Sequence, residues 1–372
     1  MASPPRRILT VNAGSSSLRL RILDERNRVV SSRDSGSVEG QGELRNELAA
    51  ILAEGGPVNA AGHRVVHGGP EHIGPTVVDF SVEDELDRLA DFAPLHNPPA
   101  VAAMRALDAL RPGLPAVACF DTAFHATMPA AASTYAVPAA WSERWPLRRY
   151  GFHGLSHAYA SRRAAELLDR PPADLRLVTA HLGAGASLAA VQAGRSVDTT
   201  MGFTPLEGLV MATRSGSVDP GLLLWVQHHG DWSAEEMERV LDRESGLLAL
   251  SGRSGDMREV IAGADESDER CQLAFDVYIH RLAAAVASMA VAMGGLDALV
   301  FTGGVGENSP QVRLAAVQKT AFLGVELDPQ RNSEAEGDGV LSASAAAAPV
   351  VLVTAREDLE IAAQIRGILP GF

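Results

Sequence analysis

The chain has 372 residues, of which 46% are hydrophobic and 21% are charged, so it is long enough for two ordinary globular domains. The formal net charge of −14 argues against a nucleic-acid-binding protein, which needs a basic face. Two cysteines cannot build a disulfide framework and favour a reducing, cytoplasmic compartment. The single lysine, Lys319, follows Gln318, which excludes a GxxxxGK[ST] phosphate loop.

Two segments in different halves of the chain predict the same hairpin. Residues 8–23, ILTVNAGSSSLRLRIL, predict a strand, a tight turn and a second strand in which Leu18, Leu20 and Ile22 alternate with other residues. Residues 177–197, LVTAHLGAGASLAAVQAGRSV, repeat this order at one offset, which indicates duplicated domains. Small turn residues allow backbone N–H groups to approach phosphate oxygens, so the pair could hold a polyphosphate. Ordinary hairpins with polar turns are the alternative.

After the hairpin of residues 8–23, an arginine stands beside a short apolar pair in a segment expected to be half-buried. Residues 62–69 read GHRVVHGG, and Arg64 there is expected either to pair with an acid or to bind an anionic substrate. Residues 81–92 predict a helix with Ser81 as its N-cap, and residues 100–110 predict the next helix.

Residues 115–124, PAVACFDTAF, predict a buried strand that ends at Asp121. The carboxyl end of a buried strand is a usual place for a catalytic or metal-linked carboxylate, and a turn or helix cap is the alternative. Residues 150–159, YGFHGLSHAY, predict a turn at 154–157 followed by a helix at 158–168. This puts His153 near a helix start, which favours anions; a buried, hydrogen-bonded histidine is the alternative.

The last third of the chain alternates polar loops with apolar elements. Residues 198–221 predict a long loop that carries Arg214, as an anion ligand or as a solvated side chain, and that ends at a helix N-cap, Asp219. Ser233 and Glu236 form a capping box, and residues 267–293 predict one long core helix. Residues 298–308, ALVFTGGVGEN, predict a strand, a Gly-rich turn and a helix start, which favours nucleotide contact. A helix at 310–322, a loop at 332–348, a strand at 350–354 and a helix at 356–368 complete the prediction.

Several motifs stand in an order that resembles the acetate kinase family, of the acetate and sugar kinase, chaperone and actin superfamily. The resemblance runs from residue 8 to about 364 and rests on VNAGSSSLRL, GHRVVHGG, CFDTAFH, RRYGFHGLSH, HLGAGAS, GFTPLEGLVMATRSG, SGDMR, FTGGVGEN and REDLEIA. Each motif alone is a weak signal, and the ordered set is specific.

The resemblance implies an α/β protein of two duplicated ribonuclease-H-like (actin-like ATPase) domains with a cleft between them. The first domain would comprise residues 1–121 and 357–372, and the second, nucleotide-binding and dimerising, residues 122–356. The implied activity is reversible, direct phosphorylation of acetate by ATP with Mg²⁺, or Mn²⁺ in its place. A homodimer is implied as well, and no nucleic-acid or membrane partner is expected.

The resemblance also assigns roles to residues of this chain. Arg64 would grip the substrate carboxylate, and a small apolar pocket would be lined by Val66, Leu95, Phe152 and Pro205. The catalytic residues would be Asp121, His153 and Arg214. Asn12 and Glu357 would be linked to Mg²⁺. Contacts to phosphates would come from Arg19, His181, Leu182, Gly183, Ala184 and Gly185. Adenosine would be held by Asp256, Met257, Arg258, Gly304, Val305, Gly306, Glu307 and Asn308.

The sequence departs from the family pattern at three places. Arg19 stands where lysine is usual, and Ala184 stands where the family has asparagine, which removes one amide. The C-terminal motif is shifted, so that Glu357 is chosen over Asp358. The chain is also short between the first hairpin and residue 62.

A carboxylate acceptor is already ionised at pH 7, so its phosphorylation needs cations and hydrogen-bond donors and no general base. Asp121 is therefore expected to orient an arginine or a Mg²⁺-bound water. A kinase that prefers propionate or butyrate is an alternative, since one methylene in an apolar pocket is worth only about 1–3 kcal/mol. A non-catalytic, actin-like or chaperone-like nucleotide-binding module is a further alternative.

Overall fold

A computed structural model describes residues 6–14, 17–36, 40–89, 97–343 and 346–371 of the chain. Leu95, which was predicted to line the apolar pocket, lies outside these residues. The chain divides into two compact units. The first unit consists of Met1–Ala126, Phe152–Leu155 and Arg356–Phe372, and the second consists of Thr127–Gly151 and Ser156–Ala355.

The strands, in chain order, are β1 (Ile8–Ala13), β2 (Leu18–Leu23), β3 (Val29–Ser35), β4 (Ala60–Val65), β5 (Thr76–Val77), β6 (Ala116–Phe120), β7 (Arg176–Leu182), β8 (Ala186–Gln192), β9 (Arg195–Thr199), β10 (Ala298–Thr302), β11 (Gly339–Val340) and β12 (Val350–Leu352).

The helices are α1 (Gln41–Gly55), α2 (Phe80–Arg88), α3 (Asn97–Leu110), α4 (Ala130–Ser133), α5 (Ala139–Arg144), α6 (Gly154–Leu167), α7 (Pro220–Gly230), α8 (Ala234–Arg243), α9 (Gly246–Ser251), α10 (Met257–Asp265), α11 (Glu269–Ala292), α12 (Gly303–Asn308), α13 (Pro310–Thr320), α14 (Pro329–Ser333) and α15 (Glu357–Ile368).

The two units are built on sheets with the same core topology. In the described residues, the first sheet has the order β3-β2-β1-β4-β6-β5 and the second the order β11-β12-β10-β7-β8-β9. Three antiparallel strands, β1 to β3 and β7 to β9, are joined in each unit by a strand parallel to the first of them. The predicted duplicated α/β fold is therefore confirmed.

The sheet of the first unit is covered by helices on both faces. Leu48 of α1 and Leu107 of α3 join the core cluster that includes Leu9 of β1, while α15 packs on the opposite face beside Ile8. Gly62 of β4 allows this approach, because a Cβ atom there would lie 2.3 Å from the side chain of Ile361. The first glycine of the GHRVVHGG motif thus gives α15 room to pack against β4.

Helix α11 is the central helix of the second unit. Among the residues that the structure describes, it is the one helix long and apolar enough to cross a membrane by length and composition. It packs against α9, α10 and α13 and against β7 and β8, with Tyr278, Leu282 and Val286 buried. This packing is that of the core helix predicted from residues 267–293.

Two predicted helix starts were wrong. The N-cap of α2 is Asp79, whose carboxylate accepts a hydrogen bond from the Val82 N–H, and Ser81 donates to the same carboxylate. An ionised acceptor at the start of a helix is favoured by the helix dipole. The predicted turn at 154–157 is the first turn of α6, because Gly154 packs against the backbone of Asp121.

Other local predictions were confirmed. Asp219 caps α7, and Ser233 and Glu236 form both hydrogen bonds of the capping box at the start of α8. The prediction of a loop over residues 332–348 was wrong in part, because this segment contains the end of α14 and the short strand β11, which pairs with β12.

His63 lies inside the first unit with no hydrogen-bond partner among the described residues. Its side chain is 1% exposed, and neither ring nitrogen meets a donor or acceptor. Burial lowers the pKa of His63 to about 4, since a charged imidazole would lose its hydration there. Between about pH 6.5 and 4 the unfolded chain therefore binds a proton that the folded chain excludes.

Acid should destabilise the chain through this group. Stability is expected to fall as the pH drops below about 6.5, by up to about 1.4 kcal/mol per pH unit for each such histidine. His63→Leu should reduce this slope, which urea unfolding at pH 7, 6 and 5 measures. Exposed His228→Gln serves as the control and should leave the slope unchanged. An identical slope for His63→Leu and the unaltered chain would contradict this account.

Candidate active site

The first unit holds an arginine whose guanidinium is fixed by a fully buried acid. Arg64 lies near the end of β4, and Asp121 directly follows the neighbouring parallel strand β6. Nε of Arg64 donates to both carboxylate oxygens of Asp121, at 3.3 and 3.1 Å, and Nη2 donates to Oδ2 at 2.6 Å. Nη1 donates to Oδ1 of Asn12 at 3.1 Å.

These contacts leave part of the guanidinium open. An arginine has five N–H donors, and the described contacts of Arg64 use one on Nε, one on Nη2 and one on Nη1. These contacts do not use the second N–H on each terminal nitrogen, and an arginine can bind the two oxygens of a carboxylate through two N–H groups. The two alternatives left open by the sequence are therefore compatible, since Arg64 pairs with an acid and still presents donors.

The charges of this cluster act on one another. Burial raises the pKa of the Asp121 carboxyl and the charge of Glu357 adds to this rise, while Arg64 and the backbone N–H of Leu155 lower it. Burial opposes the charged form of Arg64, but Asp121 and Glu357 outweigh it and raise the pKa of the guanidinium. Leu155 lies in the first turn of α6, where N–H groups favour an anion. The arginine accordingly stays charged at neutral pH.

Asn12 connects this pair to the start of α15. Its amide nitrogen donates to Oε2 of Glu357 at 2.7 Å, and the same oxygen lies 4.0 Å from Nε of Arg64. Asp358 instead pairs with Arg356, with its Oδ2 at 2.7 Å. Of the two adjacent acids, Glu357 is thus the one that faces Asn12 and Arg64.

The oxygen donors here suit a hydrated divalent cation. No hydrogen bond from the described residues reaches Oε1 of Glu357. Within these same residues, no group of three histidine, cysteine or acidic side chains could enclose a metal ion. Mg²⁺ is commonly held by one or two carboxylates together with waters and substrate phosphates, so the open carboxylate of Glu357 fits that mode.

The segment after residue 151 brings apolar and imidazole groups to the first unit. Phe152 is 1% exposed and meets His67 edge to face, with ring centroids 5.5 Å apart, and Val66 is buried just after β4. His153, half-buried, has a φ of 55° and directly precedes α6. A Cβ atom on Gly154 would lie 1.9 Å from the carbonyl oxygen of Asp121, so glycine is required there.

Arg19 lies opposite Asn12 in the register of β1 and β2. Its side chain is exposed, and its guanidinium makes no hydrogen bond to the described residues. Arg19 also lies opposite Asp34 in the register of β2 and β3, and its charge helps to lower the pKa of that carboxyl.

In the second unit, the predicted phosphate-contact residues form the end of β7 and the turn to β8. Nδ1 of His181 lies 2.8 Å from the hydroxyl of Ser156, and its Nε2 lies near Gly183. The turn closes through the Gly183 N–H, which donates to the Gly185 carbonyl at 3.0 Å. The carbonyl of Ala184 accepts from the Ala212 N–H at 3.1 Å.

A cavity of about 720 Å³ adjoins this turn. Its lining includes eight of the predicted nucleotide residues: Gly183, Ala184, Asp256, Met257, Arg258, Gly304, Val305 and Asn308. Asp256 is the N-cap of α10 and accepts from the Arg258 N–H at 2.9 Å, and the exposed guanidinium of Arg258 pairs with the same carboxylate. Asp256 and Arg258 are the charged residues of this lining, and the other lining residues are neutral.

Six of the predicted nucleotide residues do not line this cavity: Arg19, His181, Leu182, Gly185, Gly306 and Glu307. The carboxylate of Glu307 accepts from the backbone N–H groups of Gly303 and Ala355, both at 2.9 Å. Gly306 is buried below β10. Glu307 thus stabilises the start of α12 rather than facing the cavity.

Arg214 and Pro205 lie together in the long loop. Nη1 of Arg214 donates to the Pro205 carbonyl at 3.3 Å, and Nε donates to Oδ1 of Asp242 at 2.8 Å. Asp242, which was not predicted as a site residue, belongs to helix α8, in which no residue is fully buried. Arg214 is therefore a paired and half-buried side chain rather than a solvated one.

The lining of the cavity also contains residues that were not predicted: Ala212, Gly255, Ile261, Ser309 and Gln311. Ala212 and Gly255 lie inside motifs that carried the family resemblance. Ile261 lies four residues after Met257 on α10, so helical periodicity could have found it.

Comparison with known proteins gives a consistent result. The family model described as the acetokinase family matches residues 43–363. An acetate kinase of Leifsonia xyli is 43% identical, with 96% of this chain and 97% of that protein covered. An acetate kinase of Synechococcus sp. is 48% identical over 87% of this chain and 79% of that protein.

Solved structures agree. A Porphyromonas gingivalis acetate kinase has a TM-score of 0.90 and 33% identity, covering 98% of this chain and 99% of that one. A Francisella tularensis propionate kinase also has a TM-score of 0.90, with 34% identity and coverages of 98% and 100%. Since both the sequence and the fold match over nearly their whole length, the chain belongs to the acetokinase family.

Proposed function

We propose that the chain transfers the terminal phosphoryl group of ATP to the carboxylate of acetate, giving acetyl phosphate and ADP in a reversible reaction. The observation that carries this proposal is the geometry of Arg64. Its buried partner Asp121 fixes the guanidinium, and two N–H groups remain for a carboxylate oxygen pair. Membership of the acetokinase family supports the same reaction.

The acid would lie with its carboxylate on Arg64 and its methyl group against Val66 and Phe152, both of which are buried. Pro205, and Leu95 outside the described residues, are proposed to complete the apolar lining. One carboxylate oxygen then attacks the terminal phosphorus of ATP while the bond to the β-phosphate oxygen breaks. No proton is removed, so Asp121 acts by holding Arg64 in place.

The nucleotide would occupy the cavity of the second unit, with its base beside Met257, Ile261 and Val305. Its phosphates would meet the turn at Gly183–Gly185, where backbone N–H groups and His181 serve as donors. Arg19, Arg214 and His153 are proposed to stabilise the phosphoryl oxygens, because charge builds up there during transfer.

We propose that Glu357 and Asn12 hold Mg²⁺ through waters and the substrate phosphates. The ion would neutralise the phosphate charge that otherwise repels an anionic acceptor. The open Oε1 of Glu357 supports this assignment, and Mn²⁺, with similar oxygen preferences, could replace Mg²⁺.

A homodimer is a further part of the proposal. Helix α7 exposes Leu222, Leu224 and Trp225, each more than half accessible in the single chain. An apolar group of this kind is typical of surfaces that are covered in an assembly.

A hydroxamate assay tests the reaction directly, because hydroxylamine traps acyl phosphate. With ATP and Mg²⁺, we expect a strong signal with acetate and a weaker one with propionate and butyrate. Arg64→Ala and Arg214→Ala should each lower kcat/KM by about 100-fold or more, since charged donors in a low-dielectric site are lost. Arg88→Ala, which breaks an exposed pair with Asp84, is the control. Silence from folded protein with every acid would reject the proposal.

The role of Asp121 is tested by Asp121→Asn. Breaking a buried ion pair is expected to lower the free energy of unfolding by about 3–5 kcal/mol. The acetate KM should rise by about tenfold or more, because Arg64 is no longer held. Urea unfolding and steady-state kinetics measure both effects. Asp34→Asn, which breaks an exposed pair with Arg21, should cost at most about 1 kcal/mol. Normal turnover and Mg²⁺ dependence in Asp121→Asn would remove its proposed role.

Propionate phosphorylation is the second candidate, favoured by the similarity to a propionate kinase. If Val66 bounds the acid pocket, Val66→Ala should shift the ratio of kcat/KM for propionate over acetate upward by about 10-fold or more, since one methylene is worth about 1–3 kcal/mol. The exposed Val77→Ala is the matched control. An unchanged ratio would place the acid elsewhere.

A further inference from the structure

Arg313, on α13, is a buried cation that forms no ion pair with an acid of the described residues. It is 1% exposed, and burial lowers the pKa of its guanidinium. In the described part of the chain its hydrogen bonds all end on neutral oxygens: those of Gly306, Glu307 and Asn332. Because burying an unpaired charge is costly, these contacts must replace its hydration. Such an arrangement points to a position that the surrounding backbone requires.

One side of the guanidinium completes the end of α12. The last four carbonyl groups of a helix lack partners within it. In α12 these are the carbonyls of Val305, Gly306, Glu307 and Asn308. The Ser309 N–H donates to Val305 O at 3.0 Å. Nη1 of Arg313 donates to the carbonyls of Gly306 and Glu307, both at 2.8 Å, so this side chain satisfies two of the four.

The other side of the guanidinium is held by α14. Nε donates to the side-chain oxygen of Asn332 and Nη2 to its backbone oxygen, both at 2.7 Å. The amide of Asn332 in turn donates to Pro310 O at 2.9 Å. A planar guanidinium can bridge two elements in this way, whereas the single ammonium group of lysine cannot reproduce the fork.

We propose that Arg313 is a positioning residue for the phosphoryl donor. It does not line the cavity, but α12 supplies three residues of the cavity wall, Gly304, Val305 and Asn308. By fixing the C-terminal end of α12, Arg313 sets the shape of that wall. This inference rests on the proposed function and deepens it, and it predicts an effect on the nucleotide rather than on the acid.

The test compares Arg313→Met and Arg313→Lys with the unaltered chain. Titration calorimetry with ADP, without acid, should show a dissociation constant raised by about tenfold or more in Arg313→Met, because two buried carbonyls lose their donor. Arg313→Lys should show a smaller rise in the same direction. The acetate KM at saturating ATP should stay within about twofold. Arg331→Met, which removes an exposed guanidinium bonded to Ser342 O at 3.2 Å, is the matched control and should leave both values unchanged.

A selective loss of ADP affinity supports the proposal. Unchanged ADP affinity in a folded variant, even with a lower melting temperature, overturns it. An equal rise in the ADP dissociation constant and in the acetate KM overturns it as well. Should neither Arg313 variant fold, Asn332→Ala decides the matter, because it removes one acceptor of the fork: unchanged affinity for ADP there rejects the proposal. If the unaltered chain binds ADP but forms no acyl phosphate, the proposed reaction fails and the role of Arg313 is still decided by the ADP titration. If it binds no ADP, both fail.

Discussion

The buried contact between Arg64 and Asp121 is the constraint on which the first unit depends. Burying two charges is favourable only when hydrogen bonds replace the lost water, and here they come from Arg64, Asn12 and the first turn of α6. Parallel strands β4 and β6 end at the same edge of the sheet, which brings the two side chains together. Gly62 allows α15 to pack on one face of this sheet, and Gly154 packs against the backbone of Asp121. These glycines therefore contribute to the site by allowing the close contacts around it.

The second unit solves a different problem with backbone geometry. Gly303 has a φ of 79°, and a Cβ atom there would lie 2.8 Å from the Leu182 carbonyl, so glycine lets β10 turn into α12 beside β7. Gly255 permits a similar approach to Ala212, at 2.7 Å. At Ala184 the contact that holds the turn is made by the backbone carbonyl. Alanine at that position therefore removes a side-chain donor and leaves the turn itself intact.

Much of this arrangement could be predicted from local sequence, because periodicity and caps are local physics. The alternation of Leu18, Leu20 and Ile22 gave β2, and the strand ahead of Asp121 was evident. The contact between Arg214 and Asp242 joins residues 28 apart, and nothing local marks Asp242 as a partner. The start of α6 was missed because Gly154 and Ser156 favour a turn locally, while packing against Asp121 overrides that preference.

The chain has one lysine among 32 Lys and Arg residues, and three buried or half-buried arginines show what the guanidinium adds. Arg64, Arg214 and Arg313 each bridge acceptors from at least two segments of the chain. A planar guanidinium with five donors can do this with little loss of side-chain entropy per hydrogen bond, because one rigid group satisfies several oxygens. Arg19 is the contrasting case, exposed and not hydrogen-bonded to the described residues. At that position the charge alone matters to a phosphate, so replacing arginine by the lysine usual in the family should change phosphate binding little. At the three bridging positions, the same replacement should break hydrogen bonds and have a large effect.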